Sequence, residues 1–163
     1  MSYEYLYRIV ILGDSCSGKT SFMNKYISNE HKIINLPTIG VDFNARIING
    51  PENKKIKVHL WDTSGNKNFR SIARSYFGGV AGAIMLYNVG YRDTFNNLPH
   101  WLDDFRLSNR YTDIPLLVLS KFYYIYQLLI DSVFLILYMK LVNYFFCLCH
   151  CYPPVVEPNF LAL

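Results

Sequence analysis

One stretch of eight residues, Gly13-Asp14-Ser15-Cys16-Ser17-Gly18-Lys19-Thr20, constrains the fold of this chain more than any other. It fits the pattern G-x-x-x-x-G-K-[ST]. An apolar run at 6–12 precedes it, and a helix predicted over 19–27 follows it. In that context Gly13 and Gly18 let the backbone curl, so that the amides of Asp14, Ser15, Cys16 and Ser17 point inward at phosphate oxygens. The helix adds the positive end of its dipole. The Lys19 ammonium reaches the β- and γ-phosphates, and the Thr20 hydroxyl takes Mg²⁺.

The elements around the loop alternate. Residues 41–48 and 55–61 read as strands flanking the turn Asn49-Gly50-Pro51-Glu52-Asn53, an antiparallel hairpin. Residues 82–89 and 115–120 read as buried strands. Phe95, Leu98, Leu102 and Phe105 give a helix face over 94–107. The expected fold is therefore α/β: a mostly parallel sheet with one antiparallel hairpin strand, covered on both faces. At 163 residues the chain is one domain's worth, and 52% hydrophobic residues exclude a disordered chain. A net charge of +4 from scattered Lys and Arg argues against nucleic acid as a partner. Cysteines at 16, 147, 149 and 151 make no disulfide framework, so a reducing compartment is expected. The first residues do not form a secretory signal.

Two further motifs bear on the ligand. Pro37-Thr38-Ile39-Gly40 begins 18 residues after Lys19, and Trp61-Asp62-Thr63-Ser64-Gly65 closes the hairpin's second strand. Thr38 gives its hydroxyl to Mg²⁺ only when a γ-phosphate orders its loop. Asp62 suits a carboxylate that reaches the ion through water, and the Gly65 amide meets the same γ-phosphate. Two loops held by one phosphate make a switch.

With these motifs in place, residues 5–121 resemble the Rab branch of the Ras superfamily of small GTPases. Thr38-Ile39-Gly40-Val41-Asp42-Phe43 looks like the Rab switch I signature, and Trp61–Gly65 like the WDTAG box. Phe69-Arg70-Ser71-Ile72-Ala73-Arg74-Ser75-Tyr76-Phe77 is similar to switch II. Gly82–Val89 and Tyr91–Asn96 resemble the fourth strand and the entry to the third helix. The resemblance implies a GDP/GTP switch with Mg²⁺, cytoplasmic and peripheral to endomembranes, that works in vesicle trafficking. It also implies effectors and exchange or activating factors engaging switch I and II. Phe43, Trp61 and Tyr76 would then be an exposed hydrophobic triad read by effectors; ordinary core burial is the other reading of those rings.

The chain departs from that family at four places. Asn66 stands where the family has the glutamine that orients the attacking water. It is one methylene short, with Lys67 replacing an acid beside it, so slow hydrolysis is expected. Ser120-Lys121-Phe122-Tyr123 stands in place of Asn-Lys-x-Asp. Lys121 keeps its place over the purine, while Tyr123 supplies no carboxylate to guanine. His31 falls where the family places an aromatic ring against the base. After Lys121 nothing resembles the family. Cys147-Leu148-Cys149-His150-Cys151 is neither a prenylation signal nor a complete metal site, so membrane association by C-terminal prenylation is not expected. Arg70 and Arg74 are expected to face solvent or an effector.

The composition breaks at the same point. Residues 1–121 hold 15 of 16 Lys and Arg and all nine glycines, whereas 23 of the 28 residues 122–149 are apolar. The chain thus divides into a truncated Rab-like domain, 1–121, and an apolar, aromatic-rich tail, 122–163. Three readings of the tail stand open: a membrane segment, a substitute for missing core elements, or non-native sequence after a misread gene end. A helix is expected over 122–147. The rival to the GTPase switch is an inactive or nucleotide-impaired protein that acts at most as an interaction surface. A phosphate-loop ATPase is a third reading, opposed by the switch I signature.

Overall fold

The computed structural model describes residues 2–28, 36–109 and 113–121. Five strands, β1 (Tyr5–Leu12), β2 (Val41–Asn49), β3 (Lys55–Thr63), β4 (Gly82–Asn88) and β5 (Leu116–Lys121), form one sheet in the order β2-β3-β1-β4-β5. β1 runs parallel to β3 and β4, and β4 parallel to β5. Only β2 is antiparallel, paired with β3 from Val41↔Thr63 to Asn49↔Lys55. The α/β class with one antiparallel hairpin strand is as expected.

The sheet is apolar on both faces at its centre, which is why β1 reads as an unbroken hydrophobic run. Ile9 and Ile11 lie with Phe22, Met23, Ile84 and Leu86 under α1 (Lys19–Ser28). Val10 and Leu12 lie on the other side with Ala73, Phe77, Met85, Trp101 and Phe105. That second cluster packs beneath α2 (Arg70–Arg74) and α4 (Leu98–Ser108).

The single helix expected over 94–107 is two. α3 (Arg92–Asn96) ends at Asn97, and α4 begins at Leu98. Pro99 sits in the first turn of α4 and has no N–H to give the Phe95 carbonyl, so the ladder breaks there. Phe95 is not on the buried face, which runs through Thr94, Trp101 and Phe105. The Phe95 ring is 38% exposed and lies edge-on to Tyr87, with the Arg92 guanidinium 5.0 Å from its centre. The buried face of α4 is instead Trp101, Asp104 and Phe105, flanked by Leu98 and Leu102. The second hairpin strand, expected over 55–61, runs two residues further, to Thr63. Ladder partners on both sides, Ile11 and Asp42 for Asp62 and Val41 for Thr63, extend the strand to its functional end.

Candidate functional site

The C-terminal ends of β1 and β3 and the start of α1 meet at the glycine loop. Gly13 takes φ +135, and a Cβ there would overlap the Leu86 carbonyl of β4, so only glycine fits. Cys16 at the loop tip is exposed with φ 64, and its carbonyl accepts from Asn88 Nδ2 at 3.2 Å. Ser17 is fully buried.

Lys19 is 5% exposed and folds back over the loop. Its Nζ donates to the Asp14 carbonyl at 2.7 Å and lies 3.5 Å from Ser17 Oγ. Burial pushes the Lys19 ammonium down to about 8, partly offset by the nearby Asp62 and Asp14 carboxylates. A cation held in so little water is poised for an anion.

Thr20, Thr38 and Asp62 converge. Thr20 Oγ1 donates to Asp62 Oδ2 at 2.5 Å and lies 2.9 Å from Thr38 Oγ1, which is itself 3.4 Å from Asp62 Oδ2. Burial raises the Asp62 carboxyl above its ordinary value, against the Thr20 hydroxyl and the Lys19 charge, which lower it. Asp62 Oδ1 is buried with no hydrogen-bond partner. An orphaned carboxylate oxygen beside two hydroxyls is a hard-oxygen donor set that fits a magnesium ion. Among the described residues no group of three or more His, Cys, Asp or Glu forms a competing metal cluster.

Gly65 packs on the loop so closely that a Cβ would overlap the backbone of Asp14 and Ser15. The Ser64 amide donates to the Gly40 carbonyl at 2.8 Å, which ties the second loop to the first. Asn66 is exposed. Its Oδ1 accepts from the Asn68 amide at 2.9 Å and caps the short 3₁₀ turn Lys67–Phe69.

Phe43, Trp61 and Tyr76 form one row, with ring centres 4.8 Å and 5.0 Å apart. Phe43 is 42% exposed, and the other two rings are half-buried. Ser120 and Lys121 end β5 beside Tyr87 and Asn88. His31, Tyr123, the cysteines at 147–151 and the helix expected over 122–147 lie outside the described residues.

One expectation is corrected. Arg70 and Arg74 do not simply face solvent or a partner: Arg70 Nε lies 2.5 Å and Arg74 Nη2 2.6 Å from the buried carboxylate of Asp104. Four other residues at the site escaped the sequence reading, namely Asn88, Asn97, Trp101 and Asp104. Asn97 Nδ2 and Trp101 Nε1 donate to the two oxygens of Asp14, at 2.6 and 2.7 Å. The spacing of 97, 101 and 104 places them on one helix stripe, a signal that was there to read.

A strand, a glycine loop closing on a buried lysine, and two further loops meeting at a threonine–aspartate cluster define a phosphate-loop nucleotide-binding domain. Residues 8–122 match the Ras family model, and the chain belongs to that family. It is 40% identical over 121 residues to "Ras-related protein Rab-11B" of Dictyostelium discoideum, a match covering 74% of this chain and 54% of that protein. The chain therefore spans about half the length of this curated relative. Among the described residues no helix is long and apolar enough to cross a membrane.

Proposed function

We propose that this chain binds GTP or GDP with Mg²⁺ and works as a Rab-like switch in vesicle trafficking, with slow hydrolysis. One observation carries the reading: Thr20, Thr38 and the partnerless Asp62 Oδ1 converge beside the buried Lys19. In this reading Lys19 gives up the Asp14 carbonyl for the β- and γ-phosphate oxygens, and the amides of 14–18 take the phosphates. Thr20 and Thr38 would hold the ion through their hydroxyl oxygens, with Asp62 as the nearby carboxylate. Mg²⁺, when bound, would supply positive charge against the phosphates.

Gly65 follows the γ-phosphate and carries Asn66 with it. Asn66 has an amide of the right chemistry on a side chain about 1.5 Å too short. Its Oδ1 is also engaged as the cap of the Lys67–Phe69 turn, which ties the side chain to its own loop, so the attacking water is poorly held. Lys121, Ser120 and His31 are proposed at the base, with weakened guanine selectivity because no carboxylate follows Lys121. Phe43, Trp61 and Tyr76 are proposed as the surface for effectors, in the cytoplasm and at endomembranes. The division into 1–121 and 122–163 is proposed on composition alone.

The nucleotide content of the purified protein, read by chromatography after denaturation, tests the reading. Bound GDP or GTP, lost in Thr20→Asn, supports it. A protein that is empty and takes up no fluorescent GTP analogue in Mg²⁺ overturns it in favour of an inactive interaction surface.

A further inference from the structure

The stripe on α4 grips two different loops at once. Toward the phosphate loop, Asn97 and Trp101 each donate to one oxygen of Asp14, so that both lone-pair faces of this carboxylate are held by one helix. Toward the switch segment, Asp104, 4% exposed, accepts from Arg70 Nε and Arg74 Nη2. The His100 carbonyl takes Arg70 Nη2 at 3.0 Å, and the Arg70 guanidinium lies 5.4 Å from the centre of the Trp101 ring.

Between the two grips is a cavity of about 280 Å³ lined by Asp14, Lys67, Arg70, Asn97, His100 and Trp101. The start of the switch segment, Lys67 to Arg70, borders this cleft and is joined to α4 by charge and hydrogen bonds, while further along Ala73 packs with Trp101 and Phe105. A buried carboxylate facing two guanidinium groups is a strong hold, because stripping one partner leaves charge uncompensated in a poorly solvated place.

We propose that Asp104 is a positioning residue: through Arg70 and Arg74 it holds the segment that begins at Gly65, so that α4 presents that segment and the phosphate loop to the same phosphate group. The inference rests on the nucleotide-switch reading for its consequence, and on geometry alone for the hold itself. Gly65 meets only the γ-phosphate. Releasing the segment therefore adds an ordering cost to triphosphate binding and none to diphosphate binding.

The test uses the full chain and its Asp104→Asn variant, with two readouts. The first is amide hydrogen exchange by mass spectrometry. Residues 66–76 are expected to exchange at least about tenfold faster in Asp104→Asn, while 82–88 of β4 stay protected. Asp104→Glu, which keeps the carboxylate, is expected to restore most of the protection. The second readout is affinity for a non-hydrolysable GTP analogue and for GDP, both with Mg²⁺. The analogue is expected to weaken about fivefold or more and GDP less than about twofold, a split that general loss of structure does not produce.

Unchanged exchange over 66–76 overturns the proposal, and so does equal weakening of both nucleotides. If Asp104→Asn loosens β4 as well, the double variant Arg70→Gln, Arg74→Gln decides. Those side chains are 30% and 49% exposed, so the core survives their replacement; protection of 66–76 unaltered there overturns the proposal. If neither nucleotide binds the wild-type chain, the switch reading fails, while the exchange experiment still decides the hold.

Discussion

The phosphate end and the base end of the proposed nucleotide site lie on one sheet and are placed in different ways. At the phosphate end, side chains from different elements lock one another. Lys19 lies on Asp14 and Ser17, Thr20 on Asp62 and Thr38, and Asp14 on Asn97 and Trp101. At the base end, Ser120 and Lys121 are placed by backbone pairing with Tyr87 and Asn88, and their side chains make no hydrogen bond among the described residues. The phosphate end is preorganised by tertiary contacts, so phosphate and metal binding should be robust in this chain; base selectivity should be weak because Tyr123 stands where a carboxylate would meet guanine.

The most damaging break is at Lys19. Its ammonium replaces two contacts with protein by two charge-assisted bonds to phosphates, worth roughly 1.5–3 kcal/mol each. Lys19→Ala should weaken triphosphate binding by about a hundredfold or more. A fluorescent GTP analogue that titrates both proteins alike would remove the phosphate end from the comparison.

The base end can be sharpened by repair. Ser120→Asn with Tyr123→Asp restores a carboxylate acceptor for guanine, and the preference for GTP over ATP should rise by about tenfold or more. Competition titrations check it. A wild-type chain that already prefers GTP by several orders of magnitude would show that the base end is as well built as the phosphate end.

Acidity at Lys19 separates the two ends in another way. Phosphate oxygens favour the ammonium, so binding takes up a proton wherever the free amine has lost its own. With the free group at about 8, affinity should be level below pH 8 and fall by up to about tenfold per pH unit above it. The same lowered value means that the folded chain regains stability as pH rises from about 8 toward the ordinary lysine value, because the buried charge is then removed. Lys19→Arg, charged throughout, should flatten the binding profile in titrations from pH 7 to 9.5.

The smallest effects belong to Asn66, at the margin of the phosphate end. Asn66→Leu should slow single-turnover hydrolysis by less than about tenfold, because little positioning is left to lose, and Asn66→Gln should speed it. A larger loss in the leucine variant would show that the exposed, turn-capping Asn66 does reorient to hold water.

Sequence by itself determined the frame of this protein. An eight-residue loop whose glycines and lysine have few substitutes, unbroken apolar runs for the buried strands, and a hairpin turn are local facts, and each names its own geometry. The pair Thr20 and Asp62, proposed to hold the metal, was legible for the same reason, since each lies inside a motif. What the tertiary structure alone decided were contacts between segments far apart in the chain. Pro99 cut one expected helix in two, because a missing N–H outweighs a regular apolar spacing, and Thr94 rather than Phe95 faces the core. Arg70 and Arg74 found Asp104, 30 residues or more away, instead of solvent. Asp14, read as one more loop residue, proved to be gripped by Asn97 and Trp101. Helical spacing marks 97, 101 and 104 as one stripe, but polar pairing with a partner so far along the chain is not written in that spacing. It depends on which side chains the packed sheet brings within about 3 Å, and burial makes those few charges costly to leave unpaired.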